Sequence, residues 1–260
     1  MRLFKKIFKG IATLYLLPFK LHPSVFHYVK GIFFTDPSEH LYRATRHIDK
    51  YRSGEGLKES IMIDVGAAFG SVALYFSRRY NDLRIYCIEP NPRMLPRLRK
   101  TLAGRSNVFV RNIALGSSSG ERVLHVTANQ LSSSLNELNQ QQIDTLTSEH
   151  RSWLEETEKV KVRVSTLDEE FEDFPRILLI KLDTQGTELD ILKGGPRVLR
   201  RTKFVLTEMN NHELYRNNCK YYEVDEFLRA RFFRLVDLIV TYHTDEEVQE
   251  YDALYENTKL

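Results

Sequence analysis

The sequence is poor in cysteine and tryptophan and carries no acidic side chain before Asp36. Its two cysteines, Cys87 and Cys219, are too few for a disulfide framework or for the common Cys-rich zinc sites, which favours a reducing compartment. No run reaches the roughly 18 apolar residues that a membrane-spanning helix needs. The longest candidate, residues 11–17, stops at Pro18, and no small-x-small site follows, so no cleaved leader is expected. There is no Gly-x-Ser-x-Gly elbow, no Gly-x-x-x-x-Gly-Lys loop and no cysteine beside a base, which excludes acyl, nucleotide triphosphatase and thiol chemistry. What remains is an ordinary globular composition, 42% hydrophobic and 28% charged over 260 residues. The net charge of +3 is too small to bind nucleic acid by bulk electrostatics, and no nucleic-acid partner is expected.

That charge is unevenly distributed. Residues 1–60 hold 11 Lys and Arg against 5 Asp and Glu, leaving 27 against 30 for the other 200. Leu3, Phe4, Ile7, Phe8, Ile11, Leu14 and Tyr15 recur at spacings of three and four, with Lys5, Lys6 and Lys9 mostly off that stripe. Such a helix suits a membrane interface, a partner subunit or its own domain equally well. A second helix is predicted over 37–52, before the turn Ser53-Gly54-Glu55-Gly56. Residues 1–60 therefore read as a basic helical N-terminal extension.

From residue 61 short apolar runs alternate with helical patterns. Segments 61–65, 84–88, 108–110, 177–182 and 204–208 read as buried strands, and helices are expected near 71–80, 92–103, 187–192 and 222–230. That rhythm predicts a doubly wound α/β domain over 61–260 with a mostly parallel sheet. Residues 117–174 break it and read as an insertion of strands and loops, including strands near 122–127 and 160–164.

The most informative segment is Ile61-Met62-Ile63-Asp64-Val65-Gly66-Ala67-Ala68-Phe69-Gly70, a strand running through glycines into a helix. Glu89 ends the next strand, where a carboxylate can accept hydrogen bonds from a ribose diol. Nicotinamide dinucleotides and S-adenosylmethionine both use this arrangement. The dinucleotide fingerprint needs a glycine where Ala68 stands, and Asp64 would repel a diphosphate yet suit an ammonium group.

Six segments in order, Ile63 to Gly70, Ile88-Glu89-Pro90-Asn91-Pro92, Asn112 to Gly116, Val164 to Asp168, Ile180 to Gly194 and Leu206-Thr207-Glu208, resemble the FkbM family of methyltransferases. The resemblance implies the class I, Rossmann-like methyltransferase fold and S-adenosyl-L-methionine as cofactor. It implies that Asp64, Gly66, Ala68 and Gly70 line the methionine portion and that Glu89 holds the ribose. Asn91, Asn112 and Ala114 would approach the nucleoside, with Asp183 beside the transferable methyl. Two residues depart from the common pattern: Ala68 replaces Asn, and Gln185 replaces a frequent Glu. The second removes a charge near Asp183, so no metal site is expected.

Asp183 and Glu208 stand at the carboxyl ends of their strands, where open α/β sheets bind ligands. His212, four residues on, is a third candidate to take a proton from an acceptor hydroxyl. Structural roles compete: Asp183 as a helix cap, Glu208 as partner of Lys181 or an arginine, His212 and His243 as loop residues. Ser132-Ser133-Ser134 is expected at the pocket mouth or in an exposed turn. The expected function is O-methylation of a sugar, glycan or natural-product hydroxyl. The alternatives are a nicotinamide-dependent oxidoreductase or a non-catalytic binding module of the same fold. The expected location is cytoplasmic, with peripheral membrane contact through residues 1–18. Deleting residues 1–18 should lower co-sedimentation with anionic liposomes while cofactor affinity survives, and unchanged sedimentation would refute the anchor.

Overall fold

The computed structural model describes residues 37–55, 59–211, 213–243 and 248–260. The helix expected over residues 1–17, and His212, lie outside the described residues, as does the side chain of His243. Residues His40–Leu260 form one compact unit. Of the other unit, Met1–Glu39, only 37–39 are described, as helix.

The chain runs α1 (Pro37–Glu55), β1 (Ser60–Val65), α2 (Ser71–Arg79), β2 (Arg84–Ile88), α3 (Leu95–Thr101) and β3 (Val108–Arg111). The segment that interrupts the alternation contains β4 (Ala114–Leu115), β5 (Gly120–Thr127), short helices α4 (Gln140–Ile143) and α5 (Ser148–Leu154), and β6 (Glu156–Ser165). Alternation resumes with α6 (Leu167–Phe171), β7 (Arg176–Leu182), α7 (Glu188–Lys193), α8 (Pro196–Leu199), β8 (Thr202–Asn210) and α9 (Tyr221–Arg229). The chain ends in β9 (Phe233–His243) and β10 (Val248–Asn257).

Seven strands form one sheet in the order β3-β2-β1-β7-β8-β10-β9. The pairings from β3 to β8 are parallel, while β10 runs antiparallel to both β8 and β9. The order reverses between β1 and β7, the position in an open α/β sheet where ligands bind beyond the carboxyl ends of the strands. β4, β6 and β5 make a separate three-stranded sheet.

Burial on both faces explains the near-continuous apolar strands. Ile61, Ile63 and Val65 of β1 pack with Leu167, Phe171, Ile191, Val198, Val224 and Leu228 of α6 to α9. Met62, on the opposite face, packs with Leu41, Ala44 and Ile48 of α1, Phe76 of α2 and Leu98 of α3. The hairpin β9–β10 was not anticipated: its strands alternate charged with apolar residues, so they lack the apolar runs that marked the others. The insertion also holds two short helices that its polar sequence did not announce.

Gly66 ends β1 with φ of 77°, and a Cβ there would overlap the Asp183 carbonyl. Only glycine satisfies both constraints. Gly66→Ala should therefore lower unfolding free energy by at least about 2 kcal/mol, read from denaturant midpoints, because the first and fourth parallel strands would be pushed apart.

Candidate active site

The loops after β1, β2, β7 and β8 enclose a cavity of about 480 Å³. The insertion closes it with Gln130, Leu131, Ser132, Ser133, Ser134 and Leu135. Among the described lining residues Lys181 alone is cationic, against Glu89, Asp183, Glu208 and Glu250. This surface suits a cation and repels phosphate.

Glu89 is buried at the end of β2 and accepts the Ala68 and Asn91 backbone N–H groups, each at 2.8 Å. Burial raises its pKa and those two donors oppose the rise. Each oxygen keeps a second lone pair, and the residue lines the cavity. Ala68 offers its N–H because its backbone is left-handed, φ 48°. That conformation tolerates asparagine better than alanine, which accounts for the asparagine common here in the resemblance. Asn91 lines the cavity almost fully buried, its Nδ2 without a hydrogen-bond partner. Asn112 donates Nδ2 to the carbonyls of Glu89 (2.8 Å) and Pro90 (3.0 Å) and so braces the loop from outside. Gly66, Ala68 and Ala114 also line the cavity, whereas Gly70 lies behind it against Leu98 and Leu102.

β7 and β8 are neighbours, with Leu182 paired to Thr207, so Asp183 and Glu208 meet at one end of the cavity. Lys181 donates to Asp183 Oδ2 at 2.8 Å; its own side chain is buried, whereas 38% of Asp183's is open. Burial acts to raise the Asp183 pKa, but the Lys181 ammonium and the Gln185 donor outweigh it and hold the carboxyl below its ordinary value. Glu208 goes the other way, driven well up by burial and then by the charges of Asp183 and Glu250. Glu208 accepts Gln185 Nε2 (3.0 Å) and Asn210 Nδ2 (3.4 Å) rather than a cation. Asp183 does not cap the following helix; Thr187 occupies that position.

Three neighbours were missed in the sequence. Glu250 arrives on the unanticipated β10, opposite Asn210. Tyr215 enters from the loop after β8, and Glu188 holds the β7 loop by accepting from Thr184 N (2.8 Å) and Gly186 N (3.0 Å). Only the carboxylates in the charged β10 strand offered a signal. Among the described residues no group of His, Cys, Asp and Glu is arranged as metal ligands.

Residues 64–235 match the family model described as the methyltransferase FkbM domain. The chain belongs to the FkbM methyltransferase family. It is 26% identical to the 2-O-methyltransferase NoeI of Sinorhizobium fredii over 214 residues, spanning 78% of this chain and 81% of that one. Methyltransferase 1 of Beauveria bassiana is 26% identical over 145 residues, 52% of this chain and 58% of that protein. Among solved structures, TrmK of M. capricolum with S-adenosyl-homocysteine aligns with TM-score 0.43 and 9% identity, over 76% of this chain and 62% of that one. An rRNA methylase from Streptococcus thermophilus aligns with TM-score 0.42 and 12% identity, over 77% and 87%. This FkbM chain is an S-adenosylmethionine-dependent methyltransferase, and the nicotinamide and non-catalytic alternatives fall.

The residues present fit that cofactor: a glycine cradle with no room for a Cβ, an Asn91 Nδ2 without a partner, and a lining that is acidic among the described residues. Asp64 is fully buried behind the cavity wall, its carboxylate without a side-chain hydrogen bond and eased by Lys181 and the Ala73 backbone N–H, so it acts on the cavity through its field. Burial, only partly offset by Lys181, raises its pKa to about 6. Its proton is therefore held more tightly in the folded than in the unfolded chain, and stability declines as pH rises from about 4 to about 6. Asp64→Asn removes that loss: its melting temperature should exceed the wild type's by a few degrees at pH 8 and converge with it near pH 4, in thermal scans across that range.

Proposed function

We propose that this chain transfers a methyl group from S-adenosylmethionine to a hydroxyl of a sugar, glycan or related hydroxyl-rich acceptor, with Asp183 as the base. One observation carries the assignment: an ionised carboxylate, pinned by Lys181 on one side, opens on its other side into the cavity that the glycine loop and Glu89 also line. Bound S-adenosylmethionine supplies an electrophilic methyl. The chain must then align the acceptor oxygen for in-line attack and accept its proton. Asp183 is free to take that proton because Lys181 keeps it ionised, whereas burial and the neighbouring carboxylates disfavour the ionised form of Glu208, which makes it the poorer first base. Glu89 would hold the ribose hydroxyls, with Asn91 and Ala114 against the nucleoside. Gly66 and Ala68 would contact the methionine portion, with Gly70 and Asn112 supporting these loops from behind.

The name of NoeI supports a hydroxyl oxygen as acceptor. So does a second cavity of about 650 Å³ beside the insertion, whose lining mixes Glu137, Gln140, Ser148 and Arg151 with Leu138 and Ile143 and shares Leu154 with the first. Peripheral membrane contact through residues 1–18 would bring a lipid-linked acceptor within reach. Among the described residues no helix is long and apolar enough to cross a membrane.

Methyl-labelled S-adenosylmethionine, offered with a panel of oligosaccharides and polyhydroxylated natural products, should yield an O-methyl product by mass spectrometry. Asp183→Ala should lower the rate about 100-fold or more while the circular dichroism spectrum persists. Label found only on nitrogen or carbon, or full activity in Asp183→Ala, would overturn the assignment.

A further inference from the structure

Gln185 occupies the place where a glutamate is frequent in the resemblance, and the structure gives that exchange a purpose. Its Nε2 lies 3.3 Å from Asp183 Oδ1 and 3.0 Å from Glu208 Oε2, so one amide nitrogen spans both carboxylates. Its Oε1 is 3.1 Å from Tyr215 Oη. The flipped amide would set oxygen against two carboxylates, so the network fixes the orientation. A glutamate here would have no donor for either.

The backbone of Gln185 is left-handed, φ 58°, at a cost of about 1 kcal/mol for a residue with a Cβ. Contacts from the insertion hold it there. Ser134 Oγ donates to the Gln185 carbonyl at 2.8 Å, and Asn136 Nδ2 donates to the Gly186 carbonyl at 3.1 Å. Tyr215, buried, also reaches the Ser132 carbonyl at 2.8 Å, so its single proton serves either acceptor.

We propose that Gln185 is a positioning residue: clamped by the insertion and Tyr215, its side-chain amide fixes the spacing and the shared charge of the Asp183–Glu208 pair. The pair faces Lys181 of its own sheet, Asp64 behind, Glu188 of α7, and Glu250 and Asp252 of β10. In that acidic surrounding a neutral donor holds both carboxylates without adding a further charge. Lys181 favours the ionised form of Asp183 while burial disfavours that of Glu208, so the pair's negative charge is concentrated on Asp183, at the sulfonium end of the cavity. This inference rests on the placement of Asp183 at the methyl-donor end under the proposed function.

The test needs no acceptor. S-adenosylmethionine carries a sulfonium charge and S-adenosylhomocysteine does not, so the ratio of their affinities reports the charge held beside that sulfur. Calorimetric titration of the full chain at pH 6 to 9 would compare wild type with Gln185→Met and Gln185→Glu. With methionine the ratio should fall about tenfold at neutral pH, the loss of donors to a charged pair. With glutamate the pH dependence of the ratio should move upward by about one unit, since the added carboxylate makes the cluster bind a proton more tightly. A merely structural role would weaken both ligands alike, and a ratio within twofold of wild type at every pH in both variants would overturn the proposal. Tyr215→Phe, which removes one hydroxyl and keeps the ring, should shift the ratio about threefold in the methionine direction; it decides the matter should neither Gln185 variant fold, and an unchanged ratio there counts against the clamp. Wild-type protein that binds neither ligand would instead overturn the site assignment beneath it.

Discussion

The Lys181 ammonium is the charge on which the site depends. It is buried in the middle of the sheet with Asp64 on the neighbouring strand and Asp183 two residues further along its own. Burying an ammonium or a carboxylate alone would cost several kcal/mol, and each would discharge instead. Together they persist: Lys181 keeps its proton more tightly than in water because Asp183 and Asp64 outweigh the burial that opposes it. The cavity beyond thus receives an ionised Asp183 at the end of β7 and a lining that is otherwise acidic. Such a wall, acidic among its described residues, suits a cationic cofactor.

Backbone geometry brings that charge to the ligand. The glycine turn after β1 presses so closely on the start of the β7 loop that no side chain fits between them. Glu89 ties the same turn to β2 through Ala68 and Asn91, and Glu188 ties the β7 loop to its helix. The three loops therefore behave as one braced rim. The insertion adds the outer wall, and its Ser134 and Asn136, with the nearby Tyr215, are bonded to the loop that carries Gln185 rather than merely covering it.

Strands buried on both faces were legible because their apolar runs are short and bounded by glycine, proline and acidic residues. β1, β2, β7 and β8 lie within a residue or two of where their patterns put them. The carboxylates at their ends were legible for the same reason, since a parallel sheet delivers every strand terminus to one edge. β9 and β10 were not. Charged residues such as Asp237, Asp252 and Glu256 interrupt their apolar positions, and only the antiparallel register with β8 shows that Glu250 reaches the cavity.

Local order alone determined the alternation, the left-handed turn, the acidic strand ends and the family, since each depends on residues close together in the chain. Which carboxylate gives up its proton more readily was decided by tertiary structure. Asp183 and Glu208 are alike as sequence, both acidic and both at a strand end. They differ because Lys181 donates to one, while the other is buried among Glu250, Glu188 and Asp183. Gln185 likewise reads as a lost charge in the sequence and as a shared donor in the fold. Electrostatic energy depends on distance through a poorly polarisable interior, and those distances exist only once the strands are paired.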